Sequence, residues 1–497
     1  MMASETAEGV ELAWLLAGLV AAPRVAVRDL TLDSREVRAG DAFVAVAGRT
    51  THGLDHVDEA VARGATAVIW DPTEGHRLPT LSPAVAAVAV PGLKPELGDL
   101  ADRFYGEPSV ALDVAGVTGT NGKTTCAWLY ALCRGESGAY LGTLGMGRPP
   151  ALSPTSHTTM DVVSLHRALR GLLDAGVRDV AMEVSSHALD QERVAGVRLP
   201  LVGFTNLTRD HLDYHGTMAA YGAAKERLLH ARGVEHAVIN VGDPFGAELA
   251  SRLPRGVELT RVAAHGPPPQ SGRHVVATRI ERHAGGLDLE GVTHDGPFRL
   301  HSPLVGTFNA ENLLLVLGLL LAADMPLDAA RAALESAPPP PGRLESFRRG
   351  AAGPTLVVDY AHTPDALAKA LAALRGHVRG SLWCVFGCGG ERDSGKRPLM
   401  AAAAEAGADR LVITDDNPRG EDPDRIIAMI TAALSGRVPA HVERDREAAI
   451  RGATAAAREG DVILIAGKGH EDYQIYGSER RAYSDRAVAR ALAEEAR

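Results

Sequence analysis

The sequence predicts an α/β protein of three domains, and three observations carry that expectation. The chain has 497 residues, too many for one hydrophobic core and enough for roughly three domains. Short apolar runs alternate with helix-like stretches through most of its length, the pattern of mostly parallel sheets flanked by helices. One proline run, APPPPGR from Ala337 to Arg343, interrupts the alternation, which then restarts. The expected boundaries divide the chain into 1–107, 108–339 and 340–497.

Taken in order, LTLDSREVRAGDAFVAVAG reads as strand, turn, strand, and HVDEAVARGATAVIWD as helix then strand. The earlier apolar run AWLLAGLVAA follows acidic rather than basic residues, so it reads as a buried helix and not a signal peptide. After EPSVALDVAG the pattern becomes strand (VALDVAGV), glycine-rich loop and helix (KTTCAWLYALC). Further strands follow at DVAMEV, LVGFTNL and HAVINV. The loop GPPPQSG then precedes a β-rich stretch and the apolar helix ENLLLVLGLLLAA. Beyond the prolines, TLVVDY, SLWCVFG, RLVITD and DVILIAG are strands between alanine-rich helices, a second doubly wound pattern.

Composition narrows the function. The net charge is −10, from 52 basic and 62 acidic residues, with no long Lys/Arg run, which argues against a nucleic-acid or anionic-membrane surface. Cys126, Cys133, Cys384 and Cys388 form no C-x-x-C pair and read as reduced thiols of a cytoplasmic protein. No apolar stretch is long enough to suggest a membrane span.

The loop AGVTGTNGKTT, Ala115 to Thr125, carries the strongest chemistry. A strand, a glycine-rich turn and a helix direct backbone N–H groups and the helix N-terminus at an anion. Lys123 is placed to reach the outer phosphates of a nucleoside triphosphate, and the Thr124 hydroxyl to ligate Mg²⁺. The generic G-x-x-x-x-G-K-[ST] spacing asks for glycine at position 117, yet Val117 stands there and glycine appears at Gly119.

Glu183 ends a predicted strand, where a carboxylate could face the loop, though alone it reads as an ordinary strand-end charge. No G-x-S-x-G elbow surrounds the Ser-Ser-His that follows, so Ser185 reads as substrate-binding rather than nucleophilic. By composition, His211 and His215 are loop residues and Lys225 a solvated helix charge. DYAHTPDAL, FGCGGERDSGKRPLM, DDNPRGEDP and AGKGHEDYQ each follow a strand in the last third, and together they make a site.

These motifs resemble the Mur ligases. TGTNGKTT is similar to that family's phosphate loop, and HLDYHG with a later AAK, GTFNAEN, PGRLE and DYAHTPDAL resemble it in the same order along essentially the whole chain. EVSSHALDQERV, FGCGGERDSGKRPLM, DNPR and GKGHEDYQ are similar to the family type that adds 2,6-diaminopimelate. The resemblance implies a UDP-sugar domain, a central P-loop ATPase-like domain and a Rossmann-like domain for the incoming amino acid. The activity implied is ATP-dependent and ADP-forming. Meso-diaminopimelate joins the D-glutamyl γ-carboxylate of UDP-N-acetylmuramoyl-L-alanyl-D-glutamate through an acyl phosphate, in cytoplasmic peptidoglycan synthesis. An L-lysine-adding ligase and a catalytically silent nucleotide-binding relative are the alternatives.

Residue roles follow from the same resemblance. Thr118, Gly119, Thr120, Asn121, Gly122, Lys123 and Thr124 would cradle the ATP phosphates, with Asn309 and Asp359 on the nucleoside and Arg343 on the phosphates. Thr124 and Glu183 would hold one Mg²⁺, and His211 and Lys225 a second, with Lys225 carrying CO₂ as a carbamate. Leu32, Ser34, Thr158, Thr159, Ser185, Gln191 and Arg193 would bind the UDP-muramoyl dipeptide. Arg392, Asp416, Asn417, Pro418, Arg419, Gly467 and Glu471 would bind the amino acid. An Arg419 guanidinium can grip the distal carboxylate of diaminopimelate with two hydrogen bonds, and L-lysine has none to offer. A monomer with only small-molecule partners is the default expectation.

Overall fold

The computed structural model describes residues 9–48, 51–155, 157–283, 285–348 and 353–495. It divides into two compact units, one of residues 1–123, 134–237 and 251–258, the other of 124–133, 238–250 and 259–497.

The first unit opens with a four-stranded parallel sheet, in the order Leu30–Thr31, Ala42–Ala45, Ala67–Trp70, Ala86–Ala89. Alternate residues serve two cores: Ala42, Val44, Ile69 and Val88 pack on one, Phe43, Ala45 and Val68 on the other. Burial on both faces is why these strands read as continuous apolar runs. The expected N-terminal helix is shorter than its apolar run, spanning only Leu12–Leu15. Gly18 adopts φ +91° just beyond it, a conformation that ends a right-handed helix, and leaves Trp14 and Leu19 partly exposed.

Parallel strands of a second, mixed sheet position the glycine-rich loop. Strand Asp113–Thr118 lies between Asp179–Glu183 and Leu201–Phe204, parallel to both. Gly138–Gly142 continues the sheet beyond Asp179–Glu183. The register sets Glu183 beside Val117 and Phe204 beside Thr118, so three strands release their chains at one carboxyl edge. Ligands of open α/β sheets gather at such edges.

In the second unit, an antiparallel meander of Arg273–His283, Gly286–Thr293 and Gly296–Ser302 precedes the apolar helix Phe308–Ala322. A six-stranded sheet follows, ordered Glu345–Arg348, Thr355–Asp359, Val462–Ala466, Leu382–Phe386, Arg410–Ile413, Ala440–Val442. Only the first strand runs antiparallel. Leu356, Val358, Val385, Val412 and Ile463 face one core, and Val357, Cys384, Ile413 and Leu464 the other. All four cysteines are buried and none forms a disulfide. Among the described residues no helix is long and apolar enough to cross a membrane.

Candidate active site

The glycine-rich loop leaves its strand after Thr118, which explains the displaced glycine. Val117 is fully buried within the sheet, so the turn cannot begin there. Gly119 has φ +146°, and a β-carbon on it would lie 1.8 Å from Thr205 Oγ1. Glycine is therefore required by both conformation and space. The loop is stitched to the segment after Phe204: Thr205 Oγ1 donates to Asn121 O at 2.6 Å, Thr120 N to Asn206 O at 2.8 Å, and Asn121 N to Asn206 Oδ1 at 3.1 Å. Gly122, with φ +88°, leads into helix Lys123–Cys133, whose second residue is the half-buried Thr124.

Two lysines meet on this loop. Lys123 Nζ donates to Gly119 O and Thr120 O, both at 2.9 Å, and Lys225 Nζ donates to Gly119 O at 2.7 Å. Lys225 is 1% exposed, so the solvated charge suggested by composition is instead a core residue. Burial first, then the neighbouring Lys123, pushes its amine down to about 6. Its Nζ lies 4.5 Å from the centre of the Tyr221 ring, one helical turn back.

His211 is exposed and adopts φ +51° at the start of helix Leu212–His215. Its ring lies 4.8 Å from that of His187 and 6.0 Å from that of Tyr221. Glu183 is 1% exposed. Its side chain accepts from Tyr140 Oη and from Thr143, through N at 2.9 Å and Oγ1 at 3.3 Å.

The residues expected to bind the muramoyl dipeptide are wired to these groups. Thr158 Oγ1 lies within hydrogen-bond distance of Thr143 Oγ1, at 3.1 Å, and Thr159 Oγ1 donates to Glu183 O at 2.9 Å. Ser185 N donates to Thr159 Oγ1 at 3.1 Å. Arg193 reaches Thr159 O at 2.8 Å and Gln191 Oε1 at 2.6 Å, and Gln191 Nε2 donates to Tyr214 Oη at 3.1 Å. Ser34 Oγ donates to Glu59 Oε2 at 2.7 Å. All seven, from Leu32 to Arg193, line one cavity of about 1540 Å³, together with Lys123 and His211.

In the second unit, Asn309 is buried, donating to Val305 O at 2.7 Å and accepting from Asn312 Nδ2 at 2.8 Å. The turn preceding its helix approaches Leu344, through Gly306. Asp359 accepts from Leu344 N at 2.8 Å and Ala361 N at 2.9 Å; burial pushes its carboxyl up, against the pull of Arg343. The Arg343 guanidinium lies 5.2 Å from the centre of the Tyr360 ring.

The last site gathers at the carboxyl ends of Leu382–Phe386, Arg410–Ile413 and Val462–Ala466. Arg419, at φ +54°, donates from Nη1 to Gly390 O at 3.0 Å. Arg392, exposed, and Arg419 both border Gly389. Asp416, Asn417 and Pro418 are buried, and Gly467, at φ +121°, packs close to Asp416 Oδ2. Asn417 Nδ2 donates to Glu471 Oε2 at 3.2 Å.

Sequence reasoning missed several contributors. Tyr140 and Thr143 hold Glu183, and Thr205 and Asn206 hold the loop; Tyr140 sits in an ordinary apolar strand with no signal to mark it. Tyr221 stands four residues before Lys225 on one helix, a spacing that does signal contact. Lys468, inside the GKGHEDYQ motif, is fully buried among Asp416, Asn417 and Glu471.

Comparisons with known proteins give a consistent picture. Residues 27–105 match the family model described as Mur ligase family, catalytic domain; residues 117–320 match the Mur ligase middle domain; residues 342–469 match the Mur ligase glutamate ligase domain. A UDP-N-acetylmuramoyl-L-alanyl-D-glutamate–2,6-diaminopimelate ligase of Xylella fastidiosa is 48% identical over 484 residues, covering 96% of each chain. A relative of the same name in Alkalilimnicola ehrlichii is 46% identical over 479 residues, covering 94% of this chain and 95% of its own. A solved structure of a ligase of that name superposes with a TM-score of 0.71 at 34% identity, covering 98% of this chain and 99% of that one.

Proposed function

Because the chain belongs to the Mur ligase family, we propose that it is an ATP-dependent, ADP-forming ligase joining meso-2,6-diaminopimelate to UDP-N-acetylmuramoyl-L-alanyl-D-glutamate. The observation that carries this reading is the single cavity that gathers Leu32, Ser34, Thr158, Thr159, Ser185, Gln191 and Arg193 with Lys123 of the phosphate loop and His211. A substrate lying among those residues brings its terminal carboxylate to the nucleotide's outer phosphates.

The chemistry follows from what a carboxylate lacks. It is a poor acyl donor, so phosphoryl transfer from ATP converts the D-glutamyl γ-carboxylate to an acyl phosphate and releases ADP. The amino group of diaminopimelate attacks the acyl carbon, the amide C–N bond forms, the C–O bond to phosphate breaks, and the amine's proton leaves. Lys123 offsets charge on the transferring group, and backbone N–H groups of the loop hold the phosphates. Magnesium, when bound, supplies further charge neutralisation and orientation.

By the family resemblance Glu183 would hold one magnesium ion with Thr124, and His211 and Lys225 would hold a second, on one condition. An amine is a poor partner for a hard cation, whereas a carbamate supplies oxygen. Lys225 is held largely uncharged by burial, so its nitrogen has the lone pair needed to bond CO₂, losing one proton as the carbamate forms. Asn309, Arg343 and Asp359 retain the nucleotide role that the family resemblance implies, and Arg392, Asp416–Arg419, Gly467 and Glu471 the amino-acid role. The same reading takes the protein as a cytoplasmic monomer with domain limits at 107 and 339.

Phosphate release measured with ATP, Mg²⁺, the UDP-muramoyl dipeptide and meso-diaminopimelate tests the reading. Release is expected only with all four present. Equal release with L-lysine, or release independent of the amino acid, overturns it.

A further inference from the structure

A lysine side chain with no exposed surface is costly unless its charge is fully matched. Lys468 is such a residue, 0% exposed. Its three N–H donors meet three acceptors: Asn417 Oδ1 at 3.0 Å, Glu471 Oε2 at 3.2 Å and Asp416 Oδ1 at 3.4 Å. Two carboxylates and one amide therefore surround one ammonium.

The arrangement also settles which way Asn417 points. Lys468 Nζ and Ile475 N both donate to Asn417 Oδ1, the latter at 3.0 Å. The amide oxygen is thereby identified, and Nδ2 must face Glu471 Oε2, as it does at 3.2 Å. Both bonds to Glu471 fall on Oε2. Among the described residues no hydrogen bond reaches Oε1, which leaves that oxygen open to a cationic group. The side chain of Glu471 is 18% exposed, so a ligand can approach it.

We propose that Lys468 is a positioning residue for amino-acid recognition: it locks Asn417 and one oxygen of Glu471 so that the other oxygen accepts an ammonium group of the incoming diamino acid. The proposal rests on the ligase reading given above. Lys468 does not touch the substrate; it acts through Glu471. Without it, Asn417 Oδ1 keeps only the bond from Ile475 N, and Glu471 loses a charge-assisted bond that fixes its rotamer.

The test compares wild type, Lys468→Met, Glu471→Gln and the double variant in the phosphate-release assay, with melting temperature recorded for each. Lys468→Met is expected to raise KM for meso-diaminopimelate by about 10- to 100-fold. KM for ATP and for the UDP-muramoyl dipeptide should stay within about twofold. Because Lys468 works through Glu471, the double variant should have the diaminopimelate KM of Glu471→Gln alone, a non-additive pair. Equal rises in all three KM values, or additive losses in the double variant, overturn the proposal and make Lys468 a purely structural residue. If Lys468→Met alone does not fold, the charge-balanced double variant against Glu471→Gln still decides: a further loss of tenfold or more in the double overturns it. Wild-type protein without diaminopimelate-dependent release fails the ligase reading itself, and the proposal falls with it.

Discussion

Replacing Lys225 with methionine should abolish activity and stabilise the fold. The amine's ordinary value is 10.5, and burial beside Lys123 takes it to about 6. The unfolded chain therefore holds a proton between about pH 6 and 10.5 that the folded chain lacks. Unfolding takes up that proton, so this residue's contribution to stability rises with pH across the window. At about 1.4 kcal/mol per pH unit, keeping the amine neutral in the fold costs roughly 5 kcal/mol at pH 7. Methionine avoids that cost but forfeits the bond to Gly119 O, worth about 1 kcal/mol. A net gain of roughly 2–5 kcal/mol is expected at pH 7 in CO₂-free buffer, shrinking as the pH approaches 10.

Hydrogen exchange in helix Met218–Glu226 is the suitable assay, because it reports opening around Lys225 even where a multidomain chain does not unfold in one step. Adding bicarbonate should protect the wild-type helix and leave Lys225→Met unaffected, since only the amine can form a carbamate. A short carboxylic acid such as acetate should restore part of the phosphate release of Lys225→Ala by supplying the missing oxygen. The reasoning is refuted if Lys225→Met is no more protected than wild type at pH 7, or if their difference does not change between pH 6.5 and 9.

Gly119→Ala forces Thr205 Oγ1 away from a β-carbon that would sit 1.8 Å from it, at φ +146°. A destabilisation of about 2–4 kcal/mol with a raised KM for ATP is expected, read by urea unfolding and kinetics; unchanged values in both contradict the loop geometry. Arg193→Ala loses its bonds to Thr159 and Gln191 and should raise KM for the UDP-muramoyl dipeptide by about 10- to 100-fold, leaving KM for ATP unchanged. Arg419→Ala should reduce the preference for meso-diaminopimelate over L-lysine, measured as a ratio of kcat/KM, by about 100-fold or more; an unchanged ratio denies Arg419 its role. Tyr140→Phe removes a hydroxyl donor from Glu183 and should raise the Mg²⁺ concentration needed for half-maximal rate, while a same-sized rise in the KM of every substrate would mark a structural role instead.

What could be read in advance divides along the range of the interaction. Strand ends, the helix Lys123–Cys133 and the loops at the carboxyl edges follow from local periodicity and turn residues, so they were legible. The N-terminal helix was misjudged in length because an apolar run says nothing about where a positive-φ glycine will stop it. Lys225 shows the deeper limit. Its helix is alanine-rich and has no strong apolar face to say which side is buried, and the atom that accepts its hydrogen bond, Gly119 O, lies 106 residues earlier. Lys468 is the converse case: the motif around it was conspicuous, but only the fold brings Asp416 and Asn417 from a different strand end to its ammonium. Glycine at 119 instead of 117 joins the two scales. Val117 belongs to the strand that pairs beside Glu183, so the turn must start later, and the residue that does turn must leave room for Thr205. A one-dimensional spacing rule thus departs from the generic pattern because Thr205, just past the end of a neighbouring strand and 87 residues downstream of Thr118, occupies the space that a side chain would need.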